Sequence, residues 1–414
     1  KDHSTHWAES FDEQFTDVLE VEDSLAEKIG QSLISKLTGE EEKQLGRRGT
    51  NSVQAYEAYL KGRFYWNLQT EEGFARSIQY YQQAVQLDPN YALAYAAIAE
   101  YYIFIGIHCV IPFAQGSIAA KQAAERAIQI DPTLAEGYAA LGFAAIGFEL
   151  DWEKSERLFL QAIELNPNSI TANFWYIAVL TQSKRFEKSV NQLKIVLELD
   201  PGSLLAEHMV AWVLYHSRRY EESSAAYLKM LKDAPNYAWG LQTFSWTLRQ
   251  LGNYSEAISY AQRAVDVTSE NPMYLAALAA AYADAGELEK TWEIMAQLDE
   301  IAKTRFVSEY MIALVYCALG DKDKAFEYLE KSLAARDGWM NWLGVEPQLD
   351  ILRTDPRYED LLRRSGLLLT KTPDSANNKK PKSIAVLPLK LFGTHTEDEE
   401  YLSLGLTDAL GTRL

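Results

Sequence analysis

The sequence predicts an all-α fold, a solenoid of stacked helical hairpins, and three regularities predict it. Small residues recur 34 positions apart without a break at Ser189, Ser223, Ala257, Thr291 and Ala325. A fixed interval of that length marks one supersecondary unit used again and again. Proline follows Asp or Asn at Asp88-Pro89, Asp131-Pro132, Asn166-Pro167 and Asp200-Pro201, and Ala234-Pro235 and Asn271-Pro272 continue the series. Proline cannot extend the helix before it and suits the start of the next. Gly252, Gly286 and Gly320 keep the same interval of 34, as helix C-caps inside each hairpin.

The elements follow in order. Eight units are expected at 55–89, 90–132, 133–167, 168–201, 202–235, 236–271, 272–305 and 306–337, within a repeat region 51–337. Each first helix carries a small residue where its partner must come close: Gly62, Ala99, Gly142, Ala211, Ser245, Ala279 and Ala313, with Ile177 as the exception. Large residues such as Leu180, Leu214 and Leu248 follow and fill the space between hairpins. Blocks such as Tyr138-Ala139-Ala140-Leu141-Gly142 with Ala162 and Pro167 resemble the tetratricopeptide repeat. That resemblance implies a right-handed superhelix whose first helices line a concave groove. The fourth unit departs most, with Asn173, Tyr176 and Ile177 at consensus positions. The second carries nine extra residues near Gly106–Gly116, expected as a longer loop or an extended helix end.

Beyond the repeats, residues 338–368 contain Trp339, Trp342, Pro347 and Pro356-Arg357-Tyr358 and are expected to cap the solenoid. Residues 369–382 are polar and rich in Lys, Asn and Pro, the composition of a linker. Ser383–Leu389 reads as a short strand and Asp398–Leu414 as a helix; this stretch, 383–414, resembles the opening of a TolB-like α/β module. Within residues 1–50, the strand-like His6–Asp12 and helix-like Val21–Leu37 are similar to the close of the same module. The end of such a module thus precedes the repeats and a beginning follows them. A cut through neighbouring modules, a subset of a larger protein, or the meeting of the two pieces all produce that order. Lys1-Asp2-His3-Ser4 does not read as a signal peptide.

Composition narrows the function. Of 414 residues 48% are apolar, and the net charge is −18. So acidic a surface repels nucleic acid and keeps a large apolar array soluble. No apolar run is long enough to span a membrane. Cys109 and Cys317 stand several repeats apart and are not expected to pair. No Gly-rich phosphate loop, nucleophile elbow, zinc motif or cysteine pair is present, so neither an enzyme nor a cofactor or metal is expected. His208 and His216, eight residues apart on one helix, would need a third ligand to hold a metal.

The informative pattern is aromatic. The resemblance places Tyr59, Arg63 and Trp66 of the first unit on the groove, with Phe104, Phe143 and Phe174 of the next three. The fifth unit adds His208, Trp212 and Tyr215, with His216 beside them; the sixth adds Trp239, Gln242, Trp246 and Arg249, and the eighth Tyr310. Trp212, Trp239 and Trp246 are the expected anchors for a peptide or protein, with Arg249 facing a partner carboxylate. The Lys and Asn that clamp a terminal carboxylate in co-chaperones are replaced by Tyr59/Arg63, Ala96/Glu100 and Ala139/Phe143. The resemblance implies a protein-interaction scaffold or sensor region of a bacterial signalling or transcription regulator. The alternatives are a regulatory region of an enzyme such as a nucleotide cyclase or kinase, or a self-assembly element joined through the terminal α/β segments. The compartment stays open, cytoplasmic or periplasmic.

Overall fold

The structure is a computed structural model that describes residues 49–68 and 70–367. The expected module pieces in 1–48 and 383–414 and the linker 369–382 lie outside the described residues. Among the described residues there is no strand, and eight helical hairpins follow one another in the chain. They fall into two compact units, 49–94 and 95–367.

The first unit is the hairpin of α1 (Val53–Asn67) and α2 (Glu71–Leu87). Ser52 and Thr70 start these helices, each side chain accepting an N–H from the first turn. Gly62 lets the two helices touch: a Cβ there would stand 2.3 Å from the Tyr81 ring. Tyr59 fills the next layer between Tyr81 and Tyr91, with ring centroids 6.0 and 5.3 Å away.

The second unit continues with α3 (Ala92–Ile107), whose first turn belongs to the first unit, and α4 (Phe113–Ile130). Next come α5 (Ala135–Ala144), drawn out by a π turn at Ala145–Glu149, and α6 (Trp152–Leu165). The following pairs are α7 (Ile170–Gln182) with α8 (Phe186–Leu199), and α9 (Leu204–His216) with α10 (Tyr220–Asp233). Then come α11 (Ala238–Gln250) with α12 (Tyr254–Asp266), and α13 (Pro272–Asp284) with α14 (Leu288–Ile301). The last pair is α15 (Glu309–Ala318) with α16 (Lys322–Ala334). The extra residues of the second repeat lengthen its helices to 16 and 18 residues and leave only His108–Pro112 between them.

The repeat interval is visible in the backbone. Six turns inside the hairpins take a left-handed residue, at Leu150, Lys184, Arg218, Gly252, Gly286 and Gly320, each 34 from the last. Only glycine adopts that conformation freely, so the three side-chain-bearing positions carry local strain. Between hairpins, the prolines do other than expected. At Pro89, Pro132, Pro167 and Pro201 they sit in the turn rather than at the head of a helix. The preceding Asp88, Asp131, Asn166 and Asp200 close that turn by accepting the N–H two residues on, at 2.9, 2.9, 3.0 and 3.2 Å. Pro272 alone of the series opens its helix. The small residues that defined the period, Ser189, Ser223, Ala257, Thr291 and Ala325, are all fully buried where second helices meet first ones.

After α16 the chain does more than cover an end. Residues Gly338–Trp342 and Pro347–Leu352 form two 3-10 turns, followed by α17 (Pro356–Arg364). Trp339 donates its indole N–H to the carbonyl of Ile107 on α3 at 2.9 Å. Trp152 on α6 donates to the carbonyl of Ser365 at 3.1 Å. Residues 338–352 therefore lie across first helices of the second unit, and the end of the stretch meets second helices, Ser365 at α6 and Arg364 at α16.

Candidate functional site on the inner wall

The first helices of the second unit present an aromatic wall with Trp212 at its middle. Its ring centroid lies 5.7 Å from Trp246, 6.4 Å from Trp239 and 5.8 Å from Tyr215. Phe104 of α3 and His108 just beyond its end approach Trp239 at 6.4 and 4.9 Å. His208 lies 4.3 Å from Trp239 and 5.7 Å from Tyr237, and among the described residues neither ring nitrogen meets a hydrogen-bonding partner. Burial pushes His208 and His108 down to about 3, so both rings are neutral. Phe143 and Phe174 meet at Trp175, 4.7 and 5.0 Å from its ring, further along the wall. Tyr59 and Trp66 are buried in the first unit, Trp66 against Phe74 at 5.3 Å, and Arg63 there is half-buried.

The sequence led to an open groove, and the structure corrects that expectation. Apart from Arg63, every residue expected to face the groove is buried, Trp212 and Trp246 at 1% exposure and Tyr310 at 0%. Tyr59 and Trp66 are covered by rings of their own hairpin and its neighbour Tyr91, whereas the middle of the wall is covered by the chain's own segment. Trp339 packs against Trp246 at 5.8 Å, Trp212 at 6.2 Å and Tyr310 at 6.3 Å. Trp342 packs against Trp212 at 5.1 Å and His216 at 4.6 Å. Pairs at these separations each add about 0.5–1.5 kcal/mol beyond the area they bury.

A buried carboxylate fixes the register. Tyr215 donates its hydroxyl to Glu346 Oε1 at 2.6 Å, and the Gln348 backbone N–H donates to the same oxygen at 3.0 Å. His216 Nε2 lies 3.5 Å from the other oxygen, with both side chains fully buried. The His216 Nδ1 faces the Trp212 carbonyl at 3.0 Å and therefore carries a proton. Burial alone would raise the Glu346 carboxyl, but His216, the Tyr215 hydroxyl and the Gln348 N–H outweigh it and hold the group below the usual carboxylate range. Arg249, the expected carboxylate partner, bonds Asp284 at 2.7 Å and also Gln348 of the segment. Arg218 donates to the Val345 carbonyl at 2.6 Å and to Asp350 at 2.8 Å.

Glu346, Trp339, Trp342 and Arg218 were not among the expected site residues. Trp339 and Trp342 were visible only as part of an expected cap. One signal did point to a covered wall: α7 carries no charged residue, and a helix apolar on every face is buried on every face. Among the described residues no group of three or more His, Cys, Asp or Glu is placed to hold a metal. Among them too, no helix is long and apolar enough to cross a membrane. Cys109 and Cys317 are unpaired and buried, and burial pushes both thiols up, Cys317 to about 12.

Tetratricopeptide-repeat family models match residues 243–290 and 310–337. The chain therefore carries tetratricopeptide repeats. No curated protein matches it. Among solved structures it is similar to PilF of Pseudomonas aeruginosa, at 17% identity over 50% of this chain and 93% of that one, TM-score 0.37. It is similar to yeast Tom70 at 14% identity over 70% of this chain and 62% of that one, TM-score 0.42. A tetratricopeptide repeat protein of Parabacteroides merdae matches at 14% identity over 64% and 98%, TM-score 0.40.

Proposed function

We propose that this chain, a carrier of tetratricopeptide repeats, is a protein-interaction scaffold or sensor region of a bacterial signalling or transcription regulator, and that its inner wall takes a peptide or protein segment. One observation carries the proposal. The wall already holds residues 338–352, two 3-10 turns and their connection, by edge-to-face aromatic rings and side chain-to-backbone hydrogen bonds. Those are the means by which peptides are recognised in trans: rigid aromatic anchors supply area at low entropic cost, and donors to main-chain carbonyls set register. The regulator context rests on the likeness of residues 6–37 and 383–414 to parts of a TolB-like module.

The test is capture of protein partners by the wild-type chain and by the Trp212→Ala, Trp246→Ala double variant, with circular dichroism confirming its helices. Loss of capture by the folded double variant supports the wall as the binding face. Unchanged capture by that variant places binding elsewhere.

A further inference from the structure

We infer that Tyr215 and His216 form a carboxylate-reading site on the inner wall, that Glu346 fills it in cis, and that a partner entering the wall is an aromatic-acidic segment bringing a carboxylate of its own. The inference rests on the scaffold proposal and names the chemistry of its ligand.

Three observations build the site. First, the groups that face the acid belong to the wall: Tyr215 and His216 are on α9, the Tyr215 hydroxyl donating to one Glu346 oxygen at 2.6 Å and His216 Nε2 lying 3.5 Å from the other without a hydrogen bond. Second, they are buried and oriented from behind, His216 by its bond to the Trp212 carbonyl at 3.0 Å. Third, the acid arrives at a fixed distance from two rings, Trp339-x-x-Trp342-x-x-x-Glu346, and both rings meet Trp212 edge to face. Apolar packing alone would seat a tryptophan segment in several registers. A buried charge with dedicated donors admits one.

The energetics set what can replace the segment. When 338–352 leaves, the Tyr215 hydroxyl loses its acceptor in a wall of aromatic rings. A buried donor left unsatisfied costs more than a made hydrogen bond contributes. A purely apolar ligand therefore competes poorly, however well its rings fit. A ligand with two aromatic anchors and a carboxylate in the Glu346 position satisfies the same groups.

The experiment uses the full chain and a dye-labelled synthetic peptide of residues 337–353, followed by fluorescence polarisation. Glu346→Gln in the chain weakens the cis occupant and leaves the wall intact; it is expected to bind the native peptide at least tenfold more tightly than wild type does. The same peptide carrying Gln in place of Glu346 is expected to bind that variant at least tenfold more weakly. Trp342→Ala in the chain, a second way to loosen the occupant, is expected to give the same gain with the native peptide. Equal binding of the Glu and Gln peptides, or no gain in either folded variant, overturns the inference. If the peptide fails while Trp212-dependent partner capture persists, the carboxylate site is wrong and the scaffold stands. If the peptide binds in the carboxylate-dependent way and no partner is captured, the site stands and the scaffold proposal falls.

Discussion

The two helices of each hairpin answer to different surroundings, and α7 and α8 show the contrast. The first, ITANFWYIAVLTQ, has no charge; the second, FEKSVNQLKIVLEL, keeps Glu187, Lys188, Lys194 and Glu198 on one side. The same division holds for α13, whose one charged residue is Asp284, against α14, which leaves Leu288 and Trp292 about half exposed. A second helix has a partner on one face and water on the other. A first helix has its partner on one face and residues of 338–366 or neighbouring first helices on the other. Aromatic side chains alone therefore do not mark a binding surface: Trp212 and Trp292 are both helical tryptophans, and only the cover separates them.

The largest test of that contrast is a pair of truncations. Trp212→Ala is expected to lower unfolding free energy in urea by about 3–5 kcal/mol, as a large ring leaves a closed cluster. Trp292→Ala is expected to change it by less than about 1 kcal/mol. Similar losses at both positions would erase the distinction.

Acid comes next. His108 and His208 are held at about 3 against an ordinary 6.5 by burial, and His108 adds to the effect on His208. Below pH about 6.5 the unfolded chain takes up protons that the folded one refuses. Stability then falls as pH falls toward about 3, by up to about 1.4 kcal/mol per pH unit per histidine, or about 3 kcal/mol each by pH 4. Urea midpoints between pH 7 and 4 should show this slope, and His208→Phe should remove about half of it. Glu346, whose carboxyl is held low, works at the acid end: its contribution stands above the ordinary carboxylate value and is lost as pH falls through its folded value.

A smaller effect is expected from Gly338→Ala. A Cβ there would stand 2.5 Å from the Phe113 ring, and Phe113 is itself buried. The expected cost is about 1–3 kcal/mol, with faster proteolysis inside 338–366 as the specific sign. Least affected should be Arg364→Ala. It breaks a half-exposed pair with Glu330 at 2.9 and 2.6 Å, and less than about 1 kcal/mol is expected.

Much of the hairpin architecture was legible because it is periodic. The buried series from Ser189 to Ala325 and the left-handed glycines at 252, 286 and 320 announce themselves by spacing. The wall was legible in part: its residues were named, but its occupant was not. Residues 338–352 occur once, so no repeat reveals them. Glu346 in the sequence looks like any surface acid beside a proline. Its role depends on Tyr215, 131 positions earlier, and no local pattern joins the two. The expected placement of prolines at helix starts failed for a local reason, because an Asp or Asn before them closes a turn of its own.

One more consequence lies in the left-handed turns. Glycine occupies three of them, yet Arg218 keeps φ +67° and grips Val345 and Asp350. Arg218→Gly would ease the backbone by about 1 kcal/mol while removing that grip. The two changes oppose each other, so a melting curve would scarcely register the substitution. How long the protein survives heat and how readily it lets go of itself are set by different atoms of the same residue, and selection can adjust responsiveness there while leaving durability alone.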